Sequence, residues 1–335
     1  MEYLPGTAWL AVPSFQQNLL DELLIDPSYP VHTSATYGDL VYRENDGKEP
    51  PVTFWHRVVL IRPFTAHFES IGEAADILRG IQRNWAHYPV ACFRRAELIR
   101  EKLPHISEKP HPFPFEVPVS PMGIWSLLDE HTLLASAKTS SPFPLGEIRF
   151  EEDHVNPPSR AYLKMYEALT WVAYLEKLRF GTAESGIDTI PVFSVSPAAG
   201  TRCIDAGACP GGWTWVLNRL GSHVTAIDRS ELDPRLMEKS DVEFIKHDAF
   251  TLKPEELGPA DWVCSDVICY PPRLLEWIGK WLESGLCENF ICTIKMQGRA
   301  DHEITRAFAA IPGSHVLHLT ANKNELTWIR IREHL

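Results

Sequence analysis

Apolar positions divide this chain into two stretches of different character. Between residues 7 and 136, strand-like and helix-like runs follow one another in irregular order. Residues 7–12, 39–42 and 57–61 read as strands, while 15–24, 71–81 and 93–103 carry helical spacing. Residues 123–136 read as a hairpin turning at Asp129-Glu130. This mixture predicts an α+β region. From residue 201 onward the pattern becomes regular. Strand-like runs at 201–204, 224–228, 242–246, 262–266 and 290–295 alternate with helical patterns, chiefly near 214–220, 272–284 and 300–310. Two closing runs, 315–319 and 326–331, are near enough in sequence to pair antiparallel. Strands alternating with helices predict a mostly parallel, doubly wound sheet.

Between the two stretches lies Ser140-Ser141-Pro142-Phe143-Pro144-Leu145-Gly146, then a polar segment over 151–158, which punctuate a domain boundary. The 335 residues suffice for two domains or three small ones. The chain begins without the basic and apolar pattern of a signal peptide, and no stretch approaches the roughly 18 apolar residues that span a bilayer. A cytoplasmic protein is therefore expected. Its seven cysteines are scattered without CxxC or matching histidine spacing, so neither a metal site nor a disulfide framework is expected. The net charge of −12 argues against broad, non-specific nucleic-acid binding. A local basic stretch does exist: Arg79, Arg83, Arg94, Arg95, Arg100, Lys102 and Lys109 outnumber Glu97, Glu101 and Glu108. It reads equally well as an RNA-facing surface and as a solvated helix face.

The most informative segment is Cys203-Ile204-Asp205-Ala206-Gly207-Ala208-Cys209-Pro210-Gly211-Gly212-Trp213-Thr214. A strand ends on an acid, a turn rich in glycine follows, and a helix begins: the strand–turn–helix opening of an α/β nucleotide-type site. The spacing is not GxGxxG, which disfavours a dinucleotide. In such sheets ligands bind beyond the carboxyl ends of the strands. Asp205 ends the first strand of this stretch. Asp228 ends the second, roughly twenty residues later, where an acid bonds ribose hydroxyls. Asp248 follows the third and is placed to receive an adenine amino group; Asp266 ends the fourth and Lys295 the fifth. Each alone reads as a cap or loop residue, but together they mark one sheet edge.

Asp205-x-Gly207-x-x-Pro210-Gly211-Gly212-Trp213 resembles the S-adenosylmethionine loop of the FtsJ/RrmJ family of RNA 2′-O-ribose methyltransferases, and the resemblance runs from about Pro158 to Ile331. It implies a Rossmann-like methyltransferase domain with an antiparallel last strand. It also implies a Lys–Asp–Lys–Glu tetrad: Lys164 within Pro158-Ser159-Arg160-Ala161-Tyr162-Leu163-Lys164-Met165, Asp266 within Ser265-Asp266-Val267, Lys295 within Thr293-Ile294-Lys295, and Glu325 within Asn324-Glu325-Leu326-Thr327. By the same resemblance Ala161 contacts the methionine side of the donor through its backbone. Asp205, Gly207, Cys209, Pro210, Gly211, Gly212, Trp213, Asp228, Asp248 and Asp266 complete the donor site. S-adenosylmethionine is the implied methyl donor and S-adenosylhomocysteine the product. Trp213 reads at least as well as a core anchor.

Within the family the chain is most similar to the RlmM type, which methylates a cytidine ribose in bacterial 23S rRNA. The similarity rests on Cys209 in the loop and on the segment Ser140 to Phe150. It implies three parts: a ferredoxin-like subdomain over 1–55, a compact THUMP-like RNA-binding region over 56–146, and the methyltransferase domain over 147–335. The implied partner is structured RNA, 23S rRNA or its precursor, with neither DNA nor a membrane called for. The chain is shorter than that type in the THUMP region and after Lys295, which leaves the accessory fold and the RNA target open.

The chemistry accounts for the residue types. A ribose hydroxyl is a weak nucleophile, so in-line attack on a sulfonium methyl needs positioning and a base within hydrogen-bond reach. A neutral lysine serves where burial and a second cation favour proton loss. Lys295 is the expected base. Lys164 is the neighbouring cation, oriented by Glu325, and Asp266 positions the lysines and the donor. Two alternatives stay open: methylation of a tRNA or cap, and a non-catalytic RNA-binding or ribosome-assembly protein that keeps the fold. The complete tetrad disfavours the second.

Overall fold

The computed structural model describes residues 1–25, 34–45, 49–118, 120–181 and 196–332. They divide into two compact units: Met1–His111 with Pro118–Arg149, and Pro112–Val117 with Phe150–Leu335.

The first unit rests on two five-stranded sheets. One runs Lys138–Thr139, His56–Ile61, Gly6–Ala11, Leu40–Glu44, Ser34–Tyr37, antiparallel throughout. The other runs Glu2–Tyr3, Phe64–His67, Thr132–Ser136, Gly123–Leu127, Trp85–His87, with only the last pair parallel. One apolar cluster takes Leu10, Leu40 and Leu60 from the first sheet and Ile124 and Leu134 from the second. The pairing crosses the boundary expected between residues 55 and 56. His56–Ile61 lies along Gly6–Ala11, and Phe64–His67 lies along Glu2–Tyr3, so both halves of the region are woven into both sheets. The expected helices are present as Gln16–Ile25, Ile71–Ile81 and Phe93–Arg100. Ser70 caps the second, its hydroxyl accepting the Glu73 amide at 3.2 Å.

The second unit carries a seven-stranded sheet. Its strands are β1 (Arg202–Ala206), β2 (His223–Asp228), β3 (Val242–Lys246), β4 (Trp262–Ser265), β5 (Phe290–Lys295), β6 (Ser314–Leu317) and β7 (Glu325–Arg330). They lie in the order β3-β2-β1-β4-β5-β7-β6. The first five are parallel, and β7 runs antiparallel to both its neighbours. The doubly wound sheet and antiparallel last strand are as expected; β7 enters between β5 and β6 rather than at the edge. Central parallel strands are covered on both faces, and here Cys203, Ile204, Val263, Cys264, Ile291 and Cys292 are all fully buried. The chain leaves β1 toward β2 on one side and β4 on the other. That reversal opens a crevice beyond the carboxyl ends of the strands.

Helices α1 (Tyr162–Gly181), α2 (Gly212–Arg219), α3 (Pro234–Met237), α4 (Pro254–Leu257), α5 (Pro271–Ser284) and α6 (His302–Ala309) flank the sheet. The twenty-residue α1 escaped the sequence pattern because it is buried on several sides and has no clean apolar stripe. Among the described residues, no helix is long and apolar enough to cross a membrane.

One half-buried polar contact ties α1 to the approach to the last strand. The Glu167 carboxylate, 2% exposed, accepts the Thr320 amide at 2.8 and 3.0 Å and its hydroxyl at 3.1 Å, five residues before β7 begins at Glu325. A hydrogen bond to a charged group contributes about 1.5–3 kcal/mol. Glu167→Ala is expected to lower the unfolding free energy by roughly that amount, read as a lower denaturation midpoint at unchanged slope. An unshifted midpoint would show that the contact contributes nothing.

Candidate active site

The loop after β1 takes its shape from glycines and from the end of β2. Gly207 has φ +80°, and a Cβ there would lie 2.8 Å from the Val267 Cβ. Gly211 has φ +111°, and a Cβ would run into the Leu236 side chain. A left-handed backbone with no room for a side chain demands glycine at both positions. The amides of Gly207 and Ala208 donate to the Ile227 carbonyl at 2.8 and 3.2 Å. Asp228 then holds the loop with one carboxylate oxygen, accepting the Cys209 amide at 3.0 Å, and its own turn with the other, accepting the Ser230 amide at 2.9 Å.

Against this loop lies an open cavity of about 180 Å³, whose walls include Gly207, Asp228, Asp248, Phe250, Val267 and Arg273. Asp248 is held by Arg229 and Arg273, the latter at 3.2 Å, and accepts the Phe250 amide at 3.1 Å. Burial opposes its ionisation, but these hydrogen bonds outweigh burial and keep the carboxyl below the usual carboxylate range. The Arg273 guanidinium carbon lies over the Phe250 ring, 5.3 Å from its centroid, and Phe250 in turn packs on Trp277 at 4.7 Å between ring centroids. One wall of the cavity is thus a flat ring beside a fixed acid.

The four tetrad residues meet at the same edge of the sheet. The Lys164 ammonium donates to Asp266 at 2.6 Å and to Glu325 at 3.1 Å. The Lys295 ammonium lies 3.0 Å from Asp266 and 3.7 Å from Glu325. Positive and negative groups alternate around the cluster. Each side chain arrives from a different element: Lys164 from the first turn of α1, Asp266 from the residue after β4, Lys295 from the end of β5, and Glu325 from the start of β7. Lys295 and Glu325 are direct cross-strand partners, which only an antiparallel β7 allows. Lys164 is the more enclosed lysine, with 9% of its side chain exposed against 19% for Lys295.

Other expected site residues are placed differently. Asp205 does not reach the cavity walls: it is 1% exposed and accepts the Thr214 hydroxyl at 2.6 Å inside the α2 turn. Trp213 is a core anchor, 3% exposed, its indole N–H donating to the Ala161 carbonyl at 3.0 Å. That carbonyl also accepts the Lys164 amide, so Ala161 and Trp213 act together to seat the first turn of α1. Cys209 remains a thiol, its pKa raised by burial and by Asp228. Pro210 follows a cis peptide bond, and Gly212 opens α2 against Ser159. Phe250, Val267 and Arg273 were missed by the sequence reading; their one signal is position, each within a few residues of a strand-end acid. The basic stretch of the first unit is partly spent internally. Arg79 pairs with Asp76, Arg100 with Glu97, and Arg95 lies over Phe68 at 5.4 Å while donating to the Glu69 carbonyl. Arg83, Arg94, Lys102 and Lys109 make no ion pair among the described residues. Among those residues there is also no group of three or more potential metal ligands.

Residues 158–288 match the profile of the FtsJ-like methyltransferases, and the chain carries an FtsJ-like methyltransferase domain. The match includes Lys164 and Asp266 and stops before Lys295 and Glu325, which the sheet itself brings to the site. The chain is 32% identical over 236 residues to Ribosomal RNA large subunit methyltransferase M of Xanthomonas oryzae pv. oryzae strain KACC10331, covering 70% of this chain and 59% of the relative. It is 35% identical over 179 residues to the protein of that name from strain PXO99A, covering 53% and 46%. The chain thus spans about three-fifths or less of these curated relatives. Among solved structures, a Methanococcus jannaschii fibrillarin pre-rRNA processing protein superposes with a TM-score of 0.32 at 16% identity, over 50% of this chain and 73% of that one, a likeness too low to add to the argument.

Burial of Asp205 has a measurable consequence. Desolvation raises its pKa from 3.8 to about 7, against the stabilising bond from Thr214. Between those values the folded protein keeps a proton that the unfolded chain releases, so stability falls as pH rises through that window. The elevation corresponds to a loss of up to about 4 kcal/mol. Asp205→Asn, which keeps an acceptor for Thr214, is expected to flatten stability between pH 4 and 7 in denaturant titrations. An unchanged slope in the variant would place its origin elsewhere.

Proposed function

We propose that this protein transfers a methyl group from S-adenosylmethionine to a ribose 2′-hydroxyl of RNA, acting in the cytoplasm on bacterial 23S rRNA with a cytidine as target. The observation that carries this reading is the alternating cluster of Lys164, Asp266, Lys295 and Glu325 at the sheet edge that also holds the glycine loop and its cavity.

The cavity suits the donor. Asp228 has lone pairs for a ribose diol, Asp248 for an exocyclic amine, and Phe250 offers a flat contact for a heterocycle. A cation also suits an edge rich in carboxylates. When bound, S-adenosylmethionine supplies a methyl group on a sulfonium centre and leaves as S-adenosylhomocysteine.

The acceptor hydroxyl loses its proton as its oxygen gains the methyl group, and Lys295 receives that proton. Lys164 is gripped by both carboxylates at short range, whereas Lys295 is held more loosely and is more open, which suits a group that must be reached. Lys164 supplies the positive charge that orients the hydroxyl or the adjacent phosphate. Asp266 and Glu325 fix the distance between the lysines. The first unit takes the role of a THUMP-like RNA-binding region.

General-base assistance contributes about 10²–10⁴-fold. Lys295→Ala is expected to lose at least that much turnover on unmodified 23S rRNA transcript, while calorimetry shows donor affinity unchanged. Lys295→Arg fails equally, because a guanidinium stays protonated at any usable pH. Only neutral Lys295 can accept a proton, so the wild-type single-turnover rate rises with pH and then levels off. Near-normal turnover of Lys295→Arg at neutral pH rules out the base role, and 2′-O-methyl mapping that finds no new site on the transcript refutes the substrate.

For the first unit, replacing Arg83, Arg94 and Lys102 by glutamate is expected to weaken RNA binding and flatten its salt dependence, with donor affinity intact. Unchanged affinity and salt slope would identify that stretch as a solvated face.

A further inference from the structure

Arg273 stands where local rules disfavour it. It lies in the first turn of α5, directly after Pro271 and Pro272, and that turn carries no acid. The positive end of a helix disfavours a cation, so α5 itself gives no reason for an arginine there. A residue set against its local preference marks a constraint from elsewhere in the fold. Here the constraint is the turn after β3. The Arg273 guanidinium donates to Asp248 Oδ2 at 3.2 Å, and its carbon lies 5.3 Å from the Phe250 ring centroid. Asp248 and Phe250 belong to one tight turn. The Phe250 amide donates to Asp248 Oδ1 at 3.1 Å and the Thr251 amide to the Asp248 carbonyl at 3.0 Å. Trp277, four residues beyond Arg273 on α5, packs on Phe250 as well. Two successive turns of α5 thus grip the same short segment.

An ionised carboxylate only accepts hydrogen bonds, at about four positions on its two oxygens. Among the described residues, Arg229 and Arg273 take two positions on Asp248 Oδ2, and the Phe250 amide takes one on Oδ1. One position on Oδ1 is left, and it has nothing to donate. A carboxylate fixed in this way accepts an exocyclic amine and repels a carbonyl oxygen set in the same place. We propose that Arg273 is a positioning residue of the donor cavity: by holding Asp248 and Phe250 together, it makes the cavity select a 6-aminopurine over a 6-oxopurine. This inference rests on the reading of the cavity as the S-adenosylmethionine site, and it adds the residue that sets its selectivity. Arg273 acts through Asp248 and touches no reacting atom. Arg229 pairs with Asp248 from a side chain that is 75% exposed, and so exposed a pair contributes little. Arg273 has two partners in one turn, which fixes the direction of its guanidinium as well as its charge. Lysine supplies the charge without the flat surface that meets Phe250.

The test uses the whole protein and calorimetry with two ligands, S-adenosylhomocysteine and its 6-oxo counterpart S-inosylhomocysteine. A hydrogen bond to a charged group sets the scale of discrimination, so the wild type is expected to prefer the 6-amino ligand roughly 10- to 150-fold. The Arg273 side chain is half-exposed, so Arg273→Ala is expected to fold normally. Two side chains that must then be ordered on binding weaken S-adenosylhomocysteine roughly 5- to 50-fold in that variant. The 6-oxo ligand gains nothing from Asp248 and loses less, so the preference narrows severalfold. Arg273→Lys narrows it as well. An unchanged preference in Arg273→Ala, whatever the loss of affinity, marks a merely structural role and overturns the inference. A wild type that binds both ligands equally, or full selectivity in Arg273→Lys, overturns it too, and each of these results leaves the donor reading standing. Failure of the wild type to bind S-adenosylhomocysteine at all removes the donor reading and this inference with it.

Discussion

Two ammonium groups and two carboxylates, each within 4 Å of both groups of opposite charge, share one edge of the seven-stranded sheet, and the second unit is arranged so that they meet. None of the four is stable alone in a half-buried position. Desolvating an ion costs several kcal/mol, and only close opposite charges with good geometry offset it. The alternation of sign supplies that geometry: every lysine sees two acids and every acid two lysines. The cluster is therefore a constraint on the fold as well as a candidate for chemistry. It requires α1 to precede the sheet, β4 to end beside β5, and β7 to run antiparallel so that Glu325 faces Lys295 across the strand pair. A polar clamp, Glu167 on Thr320, fixes α1 against the approach to β7 and so holds two of the four contributing elements in register.

The glycine loop is joined to this cluster through Val267. A left-handed Gly207 lets the loop press against Val267, the residue after Asp266, so the loop position and the Asp266 position are set by one contact. On its other side the loop is hung from the end of β2 by Asp228 and the Ile227 carbonyl. Cavity and tetrad are consequently parts of one rigid edge, the condition under which positioning contributes most to rate. Asp205 serves that rigidity from inside, holding the first turn of α2 through Thr214 rather than reaching the cavity.

The second unit was legible in the sequence because parallel strands are short, apolar and evenly spaced, and their carboxyl ends announce themselves with acids. Asp228, Asp248, Asp266 and Lys295 were found by that rule alone, and the structure brings them to one edge. Lys164 and Glu325 were not visible that way. They needed the family resemblance, because α1 shows no amphipathic stripe and Glu325 begins a strand rather than ending one. For Trp213 the motif left core and ligand open, because a motif specifies which residues occur together, not whether they face a ligand or each other; its indole N–H in fact donates to the Ala161 carbonyl. In the first unit, helices of eight residues or more were readable, but strands such as Trp85–His87 are too short to show a period. Their pairing is non-local, and no pattern in the sequence reveals that His56–Ile61 returns to Gly6–Ala11.

On the proposed reading, charge bears on how the protein finds RNA. With a net charge of −12, long-range attraction to a polyanion is absent, and part of the basic stretch is neutralised by its own neighbours. Counterion release by a few unpaired cations gives modest affinity and little discrimination. On that reading, affinity comes from short-range contacts that operate after encounter. An acidic surface also penalises RNA that approaches without making those contacts. On that reading, the acidity of the chain works toward selectivity rather than toward affinity, because only RNA that meets the site closely offsets the repulsion.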